Sequence, residues 1–278
     1  MFNSDGNVMN PGELKSDVIS IAKHHGVGLN LEKPVTIQDK LSWLMIYDCN
    51  NLKTKCADKY LLREYCVEKL GKDICLPLLG VYSSTKEIDW GKLPNEFVIK
   101  CNHGSGMNFV VKDKSKANKS EIYNKLEYWL MDNFALRNTY EAQYYNIRPK
   151  IVVEKLMKDE KQQESLFDYK FWCFNGEPKL YTINDGHGHG DIMYYNMDGS
   201  ENNLYGVKHN NTYKKPINFS IMVDYAKKLS NPFKFVRVDF YEVNDEVYLG
   251  ELTFTPGCGY FKYKNPDDDK KIGNLLIL

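Results

Sequence analysis

Two runs near the C-terminal end constrain this chain most: Phe235-Val236-Arg237-Val238-Asp239-Phe240-Tyr241, and Tyr248 through Gly257. Both alternate β-branched or aromatic residues with polar ones, the period of strands with one buried face. Asn244-Asp245 stands between them where a hairpin turn belongs, so two adjacent antiparallel strands are predicted. That pairing brings Asp239 close to Glu251. Two carboxylates fixed on neighbouring strands make a hard-oxygen site suited to Mg²⁺, which binds through one or two carboxylates together with substrate phosphates. The competing reading is a pair of solvated acids on the open face of a hairpin. Arg237, two residues before Asp239 and so on its face, and the Pro256-Gly257 stop after the second strand favour a built site.

Composition bounds the rest. A chain of 278 residues suits one large domain or two to three closely packed lobes. Lys+Arg and Asp+Glu balance at 37 each, which removes the global electrostatic argument for nucleic acid or an anionic membrane as partner. The odd count of seven Cys has no C-x-x-C pair and lies mostly in apolar runs, reading as reduced buried thiols and not as a disulfide frame or zinc site. The first eleven residues lack a basic segment followed by an apolar core, and no window of about 18 apolar residues occurs anywhere. A soluble cytoplasmic protein is expected.

In chain order, residues 13–46 read as helical, interrupted at Gly26-Val27-Gly28 and Pro34, with Thr36 or Asp39 as cap. Asp58 is predicted to N-cap an amphipathic helix carrying Leu61, Leu62, Tyr65, Cys66 and Leu70, stopped by Gly71. From Glu96 an apolar strand ends at Lys100, a tip of Asn102, His103, Gly104, Ser105 and Gly106 follows, and a second strand leaves through Asn108. Such a tip offers bare backbone N–H groups to phosphate oxygens beside the Lys100 charge, although an ordinary tight turn has the same appearance. It is not a Walker loop, because no G-K-[ST] ends it. His103 is assigned no chemistry. Residues 120–134 repeat Ile122, Leu126, Trp129 and Leu130 at helical spacing. Ile151 to Lys155 reads as a buried strand with a charged end, and Phe167 to Pro178 as a strand turning at Asn175-Gly176, with Asp168 and Lys170 on one face. His187 and His189 lie in a glycine-dense stretch read as a surface loop in preference to a zinc site. Asp267-Asp268-Asp269 is read as a solvated acidic turn.

Arg237-x-Asp239 followed by Glu251-Leu252-Thr253-Phe254-Thr255-Pro256-Gly257 resembles the metal-binding end of the ATP-grasp ligases, where R-x-D is followed by E-x-N-x-x-P-G. The order Ala57-Asp58-Lys59, then Ile74 to Leu78, then the Lys100 hairpin, then Glu154 is similar to that superfamily's nucleotide domain. The whole chain resembles the TupA-like branch, associated with teichuronopeptide, capsule and cell-wall polymer synthesis. The resemblance implies an α+β ATP-grasp fold in which ATP lies between a lid and a mainly antiparallel C-terminal sheet. Its expected division is a helical N-terminal region over 1–75, a lid over 76–152, and a C-terminal subdomain over 153–278. It further implies Lys59, Lys100, Gly104, Ser105, Gly106 and Asn108 at phosphates, and Glu154, Lys155 and Leu156 at adenine. Asp168 and Lys170 would flank ribose and phosphates, Asp239 and Glu251 would hold Mg²⁺, and Arg237 would face the transferred phosphoryl group or the intermediate that follows. Thr253 stands where the pattern has asparagine, and its hydroxyl is a weaker candidate metal ligand. The implied reaction is an ATP-dependent carboxylate–amine ligation through an acyl phosphate, on a sugar acid or similar unit of a polymer. The rival is a metal-dependent glycosyltransferase using Asp267-Asp268-Asp269 as its D-x-D; a catalytically dead polymer-binding module is a third class.

Overall fold

A computed structural model describes residues 11–137, 140–159, 166–184, 193–202, 204, 215–260, 263 and 265–278. Four helices open the chain: α1 (Pro11–His24), α2 (Ile37–Tyr47), α3 (Asn51–Ala57) and α4 (Leu62–Leu70). Thr36 and Asp39 act together at the start of α2, each side chain accepting from the other's backbone N–H. Asp58 closes the turn between α3 and α4 by accepting from Tyr60 and Leu61 N–H, while Leu61 holds the N-cap position of α4. The predicted N-cap is therefore a turn-former three residues earlier. Gly71, with φ 74°, ends α4 in the left-handed conformation that glycine adopts without a Cβ penalty.

Two antiparallel sheets follow. The first combines β1 (Leu78–Tyr82), β2 (Phe97–Cys101), β3 (Asn108–Val111) and β4 (Ile151–Lys155) in the order β1-β4-β2-β3. α5 (Lys119–Leu130) covers it with Ile122, Leu126 and Trp129, packed on Phe97, Ile99 and Val153. Asn118 caps that helix, its side chain accepting from Glu121 N–H. A boundary at 152/153 would cut β4, which pairs with β1 and β2 through Lys155, so the lid sheet extends to that residue.

The second sheet has the order β7-β6-β5-β8-β9, from β5 (Asp168–Phe174), β6 (Glu177–Asn184), β7 (Met193–Asn196), β8 (Phe235–Val243) and β9 (Glu246–Thr253). Its tight turns place Asn175 and Gly176, then Asn244 and Asp245, at positive φ, as two-residue hairpin loops require. Period-two alternation sends Tyr169, Phe171, Cys173, Val236, Val238 and Phe240 to one face, where α6 (Phe219–Ser230) contributes Met222, Ala226 and Leu229. On the other face, Trp172, Phe174, Leu180 and Phe235 pack against Ile37, Leu41 and Leu44 of α2 and Ile272 of α7 (Pro266–Gly273). Each such fully buried side chain contributes roughly 1.5–3 kcal/mol of transfer free energy. This second face is apolar at one end only. Farther along β5 and β8 the same alternation delivers Asp168, Lys170, Arg237, Asp239 and Tyr241, and it is here that the lid sheet comes over.

The acidic turn at 267–269 proves to be the first turn of α7, with Asn265 accepting from Asp267 N–H. Asp268 and Asp269 are buried. Asp269 accepts from Gln38 Nε2 at 2.7 Å and Asp268 pairs with Lys271 at 2.8 Å, which corrects the expectation of a solvated turn. Acids at a helix N-terminus are stabilised by the unpaired N–H groups there. The His187/His189 loop lies outside the described residues.

Candidate active site

A β-bulge builds the carboxylate pair. From Tyr241↔Tyr248 and Phe240↔Leu249 the register would continue to oppose Asp239 with Gly250, leaving Glu251 opposite Val238 and directed into the core. The shift between Asp239 and Phe240 leaves Gly250 as the extra residue and sets Asp239 opposite Glu251. A Cβ on Gly250 would lie 2.9 Å from the Tyr241 ring and 3.3 Å from Asp239 O, so glycine is needed for this close approach.

Asp239 is 2% exposed, and cations surround it. Arg237 donates Nε to Oδ1 at 2.7 Å and a terminal nitrogen to Oδ2 at 2.6 Å, a two-pronged fork, while Lys170 Nζ reaches Oδ2 at 2.9 Å. Burial alone would raise the Asp239 carboxyl; Arg237 and Lys170 outweigh it and hold it below the usual range. Burial likewise works against the Lys170 ammonium, and Asp239 with Asp168 reverses the effect and raises it. Asp168 receives Lys170 on Oδ2, but its buried Oδ1 has no hydrogen-bond partner among the described residues. Burial pushes that carboxyl up to about 6. Thr253 Oγ1 donates to Glu251 Oε1 at 3.0 Å and accepts from Arg237 at 3.2 Å, so its hydroxyl orients Glu251 and the guanidinium together.

The lid supplies the opposite wall. Lys100 on β2 lies 2.6 Å from Glu154 Oε2 on β4, and Arg63 of α4 stands 3.8 Å from the other oxygen. Lys59, between α3 and α4, donates Nζ to Gly104 O at 2.5 Å. Burial lowers its pKa, with Lys100 adding to the effect, and the opposing pull of Glu251, Glu154 and Asp58 does not reverse it. Gly104 is pinned: a Cβ there would sit 2.7 Å from the Phe134 ring. His103 is buried, with Nε2 2.9 Å from Trp129 O, so it braces the hairpin tip from behind and points away from the cleft's chemistry.

Between the two sheets is a cleft of about 310 Å³. Of the residues singled out from sequence, Lys59, Lys100, Ser105, Gly106, Asn108, Glu154, Asp168, Asp239 and Glu251 line it. Lys170, Arg237 and Thr253 stand beside its acids, as their hydrogen bonds show. Gly104, Lys155 and Leu156 are not on its walls, and the Lys155 N–H is donated to Pro77 O. Sequence reasoning missed Leu76, Val98, Met107, Val110, Tyr241 and Gly250. The alternation that put Asp239 beside Arg237 also places Tyr241 on that face; Val98 and Met107 carry no such mark. A wider depression of about 760 Å³ lies on the outer side of β3 and α5, with Glu121 its sole carboxylate. The acid-rich chemistry is in the smaller cleft.

The sequence matches the model of the family described as TupA-like ATPgrasp over residues 39–277. The chain belongs to that family. It is an α+β ATP-grasp protein. The ATP-grasp chain is similar to D-alanine–D-alanine ligase from Helicobacter pylori, at 16% identity and TM-score 0.47, over 89% of this chain and 71% of that one. It is also similar to the Bacillus anthracis D-alanine–D-alanine ligase complexed with ATP, at 17% identity and TM-score 0.45, over 86% and 70%. A second structure of the B. anthracis ligase, at 14% identity and TM-score 0.40, matches 72% of this chain, which spans 57% of that protein's length. No curated protein matches the sequence. Among the described residues, no helix is long and apolar enough to cross a membrane.

Proposed function

We propose that the cleft binds ATP with Mg²⁺ and that the enzyme ligates a carboxylate to an amine, with ADP and phosphate as the other products. The carboxylate is a uronic acid or similar acidic unit of a capsular or cell-wall polymer, the amine is an amino acid or small amine, and the site of action is the cytoplasm. One observation carries this reading: the buried cations and carboxylates of the second sheet face the Lys100–Glu154 wall of the lid across a single cleft.

The donor set fits a divalent cation. A carboxylate offers about four lone-pair positions, and Arg237 and Lys170 take three of those on Asp239. Glu251 is partly open to the cleft, and Asp168 Oδ1 is a buried oxygen without a hydrogen-bond partner among the described residues. Asp239 and Glu251 would hold Mg²⁺, with Thr253 keeping Glu251 in place. When bound, Mg²⁺ supplies charge neutralisation at the phosphates.

Lys59 and Lys100, with the backbone of 105–106 and Asn108, hold the phosphates, and Glu154 stands at the base. Asp168 and Lys170 flank the ribose and phosphates. A substrate carboxylate oxygen attacks the terminal phosphorus, ADP departs, and the amine then displaces phosphate from the acyl carbon while giving up a proton. Arg237 is preorganised by its fork on Asp239, and its positive charge stabilises the oxyanion that develops. The D-x-D glycosyltransferase reading loses one of its two acids, since Asp269 is buried and accepts from Gln38.

The test is product analysis with ATP, Mg²⁺, uronic-acid oligosaccharides and a panel of amino acids and small amines. ADP release that requires both acceptor and amine, with an amide-bearing oligosaccharide by mass spectrometry, is expected. Amine-independent AMP formation, or turnover only with a nucleotide sugar, overturns the reading.

A further inference from the structure

A second cluster lies at the C-terminal end of α4, outside the lining of the cleft. Gly71 ends α4 and folds the chain back, so that Asp73 and Cys75 return to Cys66 on the preceding helix turn. The two sulfurs and an Asp73 oxygen all lie within 4.8 Å of one another. Tetrahedral zinc with Zn–S bonds of about 2.3 Å sets its sulfurs roughly 3.8 Å apart, within reach of small side-chain adjustments. Cys66 is fully buried, Cys75 half-buried and Asp73 exposed, which leaves the cluster closed on one side and open to solvent on the other.

Its frame is held from three directions. Cys75 N–H donates to Asp73 Oδ1 at 2.9 Å. Arg63 donates to Asp73 Oδ2 at 2.7 Å. The Ile74-Cys75 backbone is tied to β9, with Leu249 N–H donating to Ile74 O at 2.8 Å. The Cys66 thiol donates to Lys72 O at 3.5 Å, which fixes its sulfur toward the fold-back.

We propose that Cys66, Asp73 and Cys75 form a binding site for a thiophilic divalent cation of the Zn²⁺ class, with three protein ligands and one position left to water. Two sulfur ligands select such a cation over Mg²⁺, which takes oxygen ligands. The Cys spacing carries no zinc signature in sequence because the ligands meet through the fold-back at Gly71. Arg63 connects this site to the cleft, since it bonds Asp73, donates to Leu76 O and stands beside Glu154.

The reduced, chelator-treated full chain, free of nucleotide, is titrated with Co²⁺ and then with Zn²⁺; the outcome is thereby independent of the ATP reading. One equivalent of Co²⁺ binding with proton release and giving a sulfur-to-cobalt charge-transfer band, which Zn²⁺ then displaces, is the expected result. Cys75→Ser and Cys66→Ala abolish the band, whereas Cys258→Ser, outside the cluster, retains it. Asp73→Ala, at an exposed position, keeps a weaker sulfur band if either cysteine variant fails to fold. Absence of the band in folded wild-type protein, or its survival in folded Cys75→Ser, overturns the proposal.

Discussion

Arg237 and Asp168 are the residues whose surroundings make the sharpest demands. The guanidinium spans Asp239 in a fork that lysine cannot reproduce. Arg237→Lys keeps the charge beside Asp239, so the fold is retained. Loss of one preorganised donor is expected to lower kcat by about 10²–10³, with the ATP dissociation constant within a few-fold. Rapid-quench turnover and calorimetry on one preparation check this, and lost affinity with kcat preserved would make Arg237 a nucleotide ligand instead. Asp168 gives a pH prediction whose sign follows from its pKa of about 6, raised by burial above the 3.8 ordinary for an aspartate. Between those values the folded state holds the proton more firmly than the unfolded chain does, so this residue's contribution to stability falls as pH rises. The stability advantage of Asp168→Asn over wild type is expected to grow from about pH 4 to pH 6 and then level off. Urea unfolding of both proteins across that range measures it; a difference that does not vary with pH would show an unperturbed carboxyl.

At the scale of elements, the bulge at Gly250 decides whether β9 contributes to the site at all. Gly250→Ala places a methyl against the Tyr241 ring and the Asp239 carbonyl. It is expected to cost about 1–3 kcal/mol of stability and to depress kcat by disturbing the Asp239–Glu251 pairing. Denaturant unfolding with parallel kinetics reads both, and unchanged values in both would mean that β9 accommodates the methyl freely. The strands β8 and β9 were legible because their alternation and the Asn244-Asp245 turn agree with each other, and the Asn175-Gly176 hairpin was legible for the same reason. The bulge leaves only a slight trace, core-facing Leu249 and Leu252 standing three residues apart with Gly250 between them, where an unbroken strand would space them by an even number. Asp58 was misplaced because a carboxylate accepting from the next two or three N–H groups has one sequence signature, whether a helix or a turn follows. Asp268 and Asp269 looked solvated because their burial depends on Gln38, more than two hundred residues away in sequence. The lining residues Val98 and Met107 are apolar side chains that only the closure of the lid turns toward a cleft.

Over the whole molecule, one face of the second sheet does two jobs. Its apolar end is held by α2 and α7, and its charged end is roofed by the lid, the two sheets being joined through the segments after Cys75 and after Lys155. The central claim is that this charged end binds ATP with a divalent cation through Asp239 and Glu251. The most direct measurement is thermal unfolding with a non-hydrolysable ATP analogue, with and without Mg²⁺, for wild type and for Glu251→Gln, which keeps the shape of the side chain and removes its charge. Ligand at 100 times its dissociation constant adds about 2.7 kcal/mol. Wild type is expected to show a raised Tm only when analogue and Mg²⁺ are both present, and Glu251→Gln, folded and with an unchanged Tm in buffer, to lose most of that rise. A wild-type Tm that does not move across the titration, or an equal rise in both proteins, would contradict the account.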